Sequence, residues 1–321
     1  EGTAAMRDFR TRVYGCGPGA RCTVPGPLYH SAPNGYSMQA SKISDLLLII
    51  PKFDSREFLA LIEEYRLTAA IMVPIMFIRL LKLPDGVRNK YDLSSLEFII
   101  HAAAPCPADV KRRMIEWFGP VINEFYGSTE SSAVSACNSE QALAKPGSVG
   151  KTVPEAPVPA GEIGEIYSKF PLMDFTYNRK PEARAAMEKD GYITSGDMGY
   201  LDEDGFLFIA DRVKDMVISG GVNIYPAEIE AVLHNYPGIK DCVIFGIPDE
   251  EFGEALMAVV EAQDDVKLDT DHIKSYLREH LAGFKVPRRI EIGKDLPRED
   301  SGKIFKRKLR DNYWQQAGRK I

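Results

Sequence analysis

Cysteine is scarce in this chain of 321 residues, and the five present, Cys16, Cys22, Cys106, Cys137 and Cys242, include no C-x-x-C pair. Such scatter indicates neither a disulfide framework nor a zinc site, and it suits a reducing, cytoplasmic compartment. Long apolar runs are also missing: none approaches the ~18 residues of a membrane span, and the longest, such as 46–51, are strand length. No transmembrane segment is therefore expected. Nor is there an excess of positive charge, since the net charge is -6 at pH 7. Nucleic-acid binders concentrate cations on one face, so an acidic chain argues against a nucleic-acid partner. The basic run 303–310 then needs another explanation. Internal repeats and low-complexity tracts are absent, as is the basic-then-apolar opening of a secretory signal. The chain opens Glu1-Gly2-Thr3 without an initiator Met, which points to residues preceding it.

What is present is the balance of a soluble globular enzyme, 45% hydrophobic and 27% charged with both signs interspersed. At about 150 residues per domain the length predicts two or more units. Over 24–126 short apolar runs (46–50, 69–73, 98–100) alternate with amphipathic stretches (55–65, 108–118), which reads as βαβα with a mostly parallel sheet buried on both sides. Asp54 or Ser55 caps the first of these helices, and Phe58, Leu59, Ile62 and Tyr65 share one face at spacings of three and four. From about residue 146 the texture turns β-rich, with strands at 162–167 and a hairpin turned by Asp204-Gly205. A second βα region follows Lys214: helix 227–235, strands 241–247 and 255–261, helix 270–281. The expected class is α/β, a βαβα sheet fragment with a small β subdomain at about 146–213. Residues 1–213 form the larger domain, and 214–321 a smaller, mobile α+β domain.

Four segments carry residue types suited to chemistry. They are Pro27-Leu28-Tyr29-His30; Tyr126-Gly127-Ser128-Thr129-Glu130; Tyr192-Ile193-Thr194-Ser195-Gly196-Asp197, continuing through Asp211-Arg212-Val213-Lys214-Asp215 to Glu228; and 297–303 ending in Lys303, with Arg307. Alone, each is weak, because short Gly and Thr patterns arise by chance. Together and in this order, from about residue 24 to the end, they resemble the adenylate-forming superfamily of acyl-CoA synthetases, luciferases and nonribosomal peptide adenylation domains. Ile218-Ser219-Gly220-Gly221-Val222-Asn223-Ile224-Tyr225-Pro226 is most similar to the fatty-acid and aryl-acid CoA ligase branch.

The resemblance implies an acid:CoA ligase that uses ATP and Mg²⁺ to make an acyl-adenylate and then passes the acyl group to coenzyme A. It assigns Tyr126 to stacking on adenine, Gly127 to close backbone approach, Ser128 to the nucleotide-binding set, Thr129 to phosphate and Glu130 to the metal. The ordinary reading is a strand-to-loop turn whose Ser and Thr cap a helix. Ala103 and Ala104, within Ala102-Ala103-Ala104-Pro105, stand where many relatives carry Gly and line adenine and substrate. Asp197 takes both ribose hydroxyls with Arg212 as its partner, an arrangement that uses two charged acceptor oxygens; the ordinary alternative is an Asp that closes a turn before Gly199. Lys303 supplies the cation that bridges an attacking carboxylate and the α-phosphate, or is a solvated lysine at the start of a basic amphipathic helix. His30 orients the substrate carboxylate, or is a loop histidine satisfied locally. Gly220 and Gly221 admit the pantetheine arm, or simply turn a hairpin. Lys214 stands at the family's hinge.

The pattern is incomplete. The family's Ser/Thr/Gly-rich phosphate loop is not found, so the chain reads as a fragment lacking the N-terminal part of its large domain. Pro146-Gly147-Ser148-Val149-Gly150-Lys151-Thr152 imitates such a loop, but its glycines are too closely spaced and Pro154 blocks an immediate helix. A strand pair usual in relatives is missing near 156–157. The segments 31–36 and 101–106 are small or aromatic, which points to an apolar acid. Rival readings are an adenylating enzyme that serves a carrier protein or another acceptor, and a catalytically silent module of the same fold. Oligomeric state, including a homo-oligomer, is left open.

Overall fold

The computed structural model describes residues 11, 13–152, 160–169, 175–299 and 304–316. The chain divides into two compact units, Glu1–Ser195 with Tyr200–Ile209, and Gly196–Gly199 with Ala210–Ile321.

The larger unit is built on a seven-stranded sheet ordered β2-β1-β3-β4-β5-β6-β7. Its strands are β1 (Arg21–Val24), β2 (Leu46–Ile49), β3 (Ala69–Met72), β4 (Phe98–His101), β5 (Ile122–Ser128), β6 (Ser132–Cys137) and β7 (Lys151–Thr152). The first five pair parallel, and β6 and β7 are antiparallel additions. Helices α1 (Ser31–Ile43), α2 (Ser55–Tyr65), α3 (Pro74–Leu81) and α4 (Ala108–Phe118) cover it. Alternation along the strands sorts the two faces. Ala70, Met72 and Ile99 enter a core with Phe58, Leu59, Ile62, Phe77 and Met114 from α2, α3 and α4. Ala69, Ile71 and Ile100 point the other way, to Tyr36 and Ala40 of α1.

Local signals explain the boundaries. Asp54 caps α2 through Oδ1, which accepts from the Arg56 and Glu57 amides at 2.9 and 3.0 Å. Pro74 opens α3 at a position where a missing N–H costs nothing. One sequence expectation changes, and one alternative reading falls. The run 46–50 is not buried on both sides: β2 is an edge strand, half-buried along its length with Ile49 exposed. The 126–128 segment is not a loop leading to a helix, because β5 runs through it and the chain folds straight back into β6.

A four-stranded sheet comprises β8 (Gly164–Ser168), β9 (Glu188–Lys189), β10 (Tyr192–Leu201) and β11 (Leu207–Arg212). The turn between its last two strands is set by Asp202, whose carboxylate accepts from the Asp204 and Phe206 amides, with Gly205 at φ 78°.

The smaller unit holds a five-stranded sheet of β12 (Val217–Ser219), β13 (Val222–Ile224), β14 (Ile239–Asp249), β15 (Gly253–Ala262) and β16 (Arg289–Gly293), with helices α5 (Pro226–Leu233), α6 (Thr270–His280) and α7 (Lys306–Gln316). Ile244, Leu256, Ala258 and Val260 pack under α5 and α6. Val243, Phe245, Met257 and Val259 form the opposite face, against Leu309 and Tyr313 of α7. Residues 306–310 of the basic run thus belong to a packed helix. Lys306 lies 3.0 Å from Glu230, and Arg307 3.2 Å from Asp311. The fold is mixed α/β.

Candidate functional site

In the larger unit, β4 and β5 run parallel, with His101 opposite Glu124 in the register. The segment Ala102-Ala103-Ala104 leaves the C-terminal end of β4 beside the strand that ends in Tyr126-Gly127-Ser128. Crevices beyond the carboxyl ends of parallel strands are where ligands bind in open α/β sheets. Ala103 is exposed and sits at φ 72°, a left-handed conformation that favours glycine. Ala104 beside it is half-buried.

The Gly127 backbone bulges as β5 turns into β6, and a Cβ there would lie 1.7 Å from the Ser132 carbonyl oxygen. Glycine is therefore required by the hairpin itself, independently of any nucleotide. Ser128 Oγ lies 3.0 Å from Ser131 Oγ and accepts from the Glu130 and Ser131 amides at 3.2 and 3.0 Å. That network stiffens the tip and leaves Thr129 at its exposed apex. The Thr129 hydroxyl is 2.9 Å from Ser31 Oγ, which belongs to the first turn of α1. His30 is the residue immediately before that helix; its ring lies 4.5 Å from that of Tyr29, and its Nε2 is buried without a hydrogen-bond partner among the described residues. His30 is thus the neighbour in sequence of the residue whose hydroxyl meets Thr129.

Glu130 accepts a hydrogen bond from Tyr177 Oη at 2.7 Å, and that bond holds the Tyr177 phenol up at about 12. A half-buried carboxylate with an anionic oxygen is a fitting hard ligand for Mg²⁺, which characteristically takes one or two protein carboxylates and keeps the rest of its shell for water and phosphate. No group of three or more His, Cys, Asp or Glu gathers among the described residues. Ser31 and Tyr177 are site partners that the motifs do not single out. Tyr177 carries no motif, and nothing in its spacing from Glu130 signals the contact.

Behind this surface lies a buried polar cluster that sequence reasoning also missed. Lys111 of α4 ion-pairs with Glu124 of β5, and both are 4% exposed. His101, fully buried, has Nδ1 3.8 Å from Glu124 Oε1, with neither ring nitrogen hydrogen-bonded among the described residues. Burial pushes the Glu124 carboxyl up and holds the His101 imidazole well below its usual range.

The smaller unit contains Asp197, Arg212, Lys214, Gly220 and Gly221. Asp197 is 5% exposed, and its Oδ1 accepts from Arg212 Nε at 3.3 Å, so the pair expected from the sequence is formed. Nearby, Asp211 Oδ2 accepts from the Ala227 amide at 3.0 Å at the start of α5, and burial pushes the Asp211 carboxyl up. The Lys214 carbonyl accepts from Arg310 Nη1 at 2.9 Å. Gly220 (φ 58°) and Gly221 (φ 82°) form the two-residue turn that joins β12 to β13, with Ser219 opposite Val222. Positive φ at both central positions is what a tight hairpin demands, so the turn alone accounts for both glycines. Lys303 lies outside the described residues.

No helix among the described residues is long and apolar enough to cross a membrane. Compared with known proteins, the chain is 37% identical over 298 residues to the long-chain-fatty-acid--CoA ligase of Bacillus subtilis (strain 168), a match covering 88% of this chain and 52% of that protein. It is 36% identical over 307 residues to the feruloyl-CoA synthase of Amycolatopsis sp, covering 91% of this chain and 62% of that one. Among solved structures, the amide bond synthetase McbA from Marinactinospora thermotolerans superposes with a TM-score of 0.86 at 28% identity, covering 97% of this chain and 65% of that one. The chain therefore spans between about half and two thirds of the length of the proteins it matches. Residues 228–303 match the AMP-binding enzyme C-terminal domain. With residues 2–174, more than half its length, matching the AMP-binding enzyme family, the chain belongs to that family.

Proposed function

We propose that this protein is an acid:CoA ligase that condenses a fatty or aryl acid with ATP to an acyl-adenylate and then forms the acyl-CoA thioester. The observation that carries the reading is the tip of the β5–β6 hairpin, which presents a hydroxyl and a carboxylate, Thr129 and Glu130, with the Thr129 hydroxyl against Ser31 in the first turn of α1. The names of the relatives support the acid and the thiol: one is a fatty-acid ligase and one a feruloyl-CoA synthase. The five cysteines are free thiols, which supports a cytoplasmic setting.

In the first step a carboxylate oxygen of the acid attacks the α-phosphorus of ATP, the new O–P bond forms, and pyrophosphate leaves. Two anions meet, so the residues that matter are those that offset charge in the transition state. In this reading Thr129 donates to an α-phosphate oxygen, Asp197 with Arg212 fixes the ribose, Tyr126 covers adenine between Gly127 and Ala103-Ala104, and Lys303 bridges carboxylate and phosphate. Glu130 would hold Mg²⁺, whose charge neutralises the phosphate oxygens when bound. His30, with Nε2 buried and unpartnered among the described residues, orients the acid carboxylate. In the second step the coenzyme A sulfur attacks the acyl carbon and AMP departs with the electron pair. The Gly220-Gly221 turn admits the pantetheine arm, and residues 214–321 act as a lid hinged at Lys214 that serves each half-reaction in turn.

Pyrophosphate exchange by the full-length protein, with a panel of fatty and aryl acids, tests the reading. Exchange should require an acid, and Lys303→Ala should lower it by about 10²-fold or more. Absence of exchange with every acid would end it. A second acceptor chemistry is favoured by one finding, the likeness to an amide bond synthetase. Adenylate consumption that proceeds with an amine and not with coenzyme A would select it.

A further inference from the structure

Glu130 is fixed at both ends. Its amide donates to Ser128 Oγ at 3.2 Å, and its Oε1 accepts from Tyr177 Oη at 2.7 Å, the length of a hydroxyl donating to an anionic oxygen. Among the described residues no hydrogen bond or ion pair reaches Oε2. The donor is held in turn. The Tyr177 ring packs edge-on against that of Phe175, with centroids 5.5 Å apart, and the Arg184 guanidinium lies 4.9 Å from the Phe175 centroid. Met187 Sδ is 3.3 Å from Tyr177 Oη. The phenol has one proton and a thioether accepts weakly, so the carboxylate takes it. Main-chain bonds complete the support: the Tyr177 carbonyl accepts from the Lys180 amide at 3.1 Å, and the Met187 carbonyl from the Thr194 amide of β10 at 3.0 Å.

A carboxylate with one oxygen occupied and its plane fixed prefers different ions from a free one. Turned freely, it offers both oxygens to one cation; held by the phenol, it offers Oε2 alone. Mg²⁺ demands a near-ideal octahedron, in which a single carboxylate oxygen fills one corner, whereas a two-oxygen grip imposes too narrow an angle at the metal. Ca²⁺ accepts a larger, flexible shell and takes carboxylates through one oxygen or two. A hydrogen bond to the ligating group also orients it before the ion arrives, so less ordering is left to binding.

We propose that Tyr177 is a positioning residue that restricts Glu130 to one-oxygen ligation and thereby selects Mg²⁺ over Ca²⁺. The proposal rests on the reading of Glu130 as the metal residue. Without the phenol, Glu130 turns to offer both oxygens. Mg²⁺ then loses a pre-oriented ligand and gains nothing, while for Ca²⁺ the second oxygen offsets the lost orientation. The discrimination between the two ions therefore falls even though no group that touches the nucleotide has changed.

The test is metal binding without turnover. The full-length protein, in excess over α,β-methylene ATP, is loaded with Mn²⁺ as a paramagnetic probe, and electron paramagnetic resonance follows its displacement by Mg²⁺ and by Ca²⁺. In Tyr177→Phe the Kd for Mg²⁺ should rise about tenfold. The Kd for Ca²⁺ should change less than about twofold. Binding of the nucleotide in EDTA should also change less than about twofold, since the phenol bonds the carboxylate and not the nucleotide. Equal weakening of both ions, or an unchanged Kd for Mg²⁺, overturns the proposal. Glu130→Gln separates it from the reading beneath it. If that variant binds Mg²⁺ as the parent does, or if the parent complex binds no metal, both the metal role of Glu130 and the proposal fall; if Glu130→Gln weakens Mg²⁺ and Tyr177→Phe does not, only the proposal falls. Should Tyr177→Phe fail to fold, infrared difference spectra of the parent decide. The carboxylate bands that Glu130→Gln lacks should split more widely with Mg²⁺ than without metal, the mark of one-oxygen ligation, and a narrowed or unchanged splitting overturns the proposal.

Discussion

Each unit places carboxylates beneath its own chemistry-bearing segment, and the two solutions differ. In the larger unit the Glu124–Lys111 pair is sealed, with side chains 5% and 6% exposed, and His101 lies buried against it. In the smaller unit Asp241 and Glu261 are equally covered, but their cations reach water: Arg298 is 23% exposed, and Lys240, which pairs with Glu261, 43%. Burial dominates Glu124 and pushes its carboxyl up, whereas at Glu261 burial is outweighed by Lys240 and Arg298 and the carboxyl is held below its usual range. Water can replace a lost partner in the second arrangement and not in the first. A sealed pair is rigid but brittle, and this one sits two residues before Tyr126 on the same strand.

The largest effect should come from breaking the sealed pair. Lys111→Met strands a carboxylate in the core and should lower stability by about 3–5 kcal/mol, read by chemical denaturation at neutral pH. Adding Glu124→Gln should return part of that loss, since the double replacement leaves no unpaired charge. A loss under about 1 kcal/mol in the single variant would mean that water enters the site, and the contrast between the units would disappear. Its counterpart, Lys240→Met, should lose less than about 1 kcal/mol, because Glu261 keeps Arg298 and solvent screens the exposed lysine.

The glycines sharpen the same contrast. Gly127→Ala forces a Cβ to within 1.7 Å of backbone in the larger unit, so the hairpin must open and stability should fall by more than about 2 kcal/mol. Gly221→Ala meets open space and pays only for its left-handed backbone, about 1 kcal/mol. Reversing the logic, Ala103→Gly should raise stability by about 0.5–1 kcal/mol, since alanine holds a φ of 72° there. A destabilised Ala103→Gly protein would show that the alanine methyl packs more favourably than its backbone is strained.

Much of the fold was legible because periodicity and caps are local. The helix 108–118, the Asp54 cap and the Asp204-Gly205 turn all appear where spacing and turn chemistry put them. The half-burial of β2 was not legible, since an edge strand and a central strand of a parallel sheet can share the same apolar composition. The course of 126–128 was missed for a related reason: Gly and Ser usually mark turns, but here Gly127 is a bulge within a strand. Within the candidate site, Asp197 with Arg212 was readable from the motif, 15 positions apart in sequence. Ser31 with Thr129, separated by 98 positions, and Tyr177 with Glu130, separated by 47, depend on how the chain returns upon itself, which no local pattern encodes.

The smallest expected effect concerns that last contact. Tyr177 is half-buried and its hydroxyl bonds Glu130, which stabilises the neutral phenol and holds it at about 12 against an ordinary value of 10.0. With the folded value raised, the stabilisation is fully present below pH 10, where the unfolded phenol is also neutral, and is lost as pH rises through about 12. Solvent screening keeps the contribution under about 1 kcal/mol, so Tyr177→Phe should unfold almost as the parent does at neutral pH. The sensitive readout is an ultraviolet difference titration: parent minus Tyr177→Phe should isolate one phenol that ionises about two pH units late. A phenol that ionises at its ordinary pH would mean that Glu130 is not held by Tyr177, and that the carboxylate stands at the hairpin tip oriented only by its own backbone.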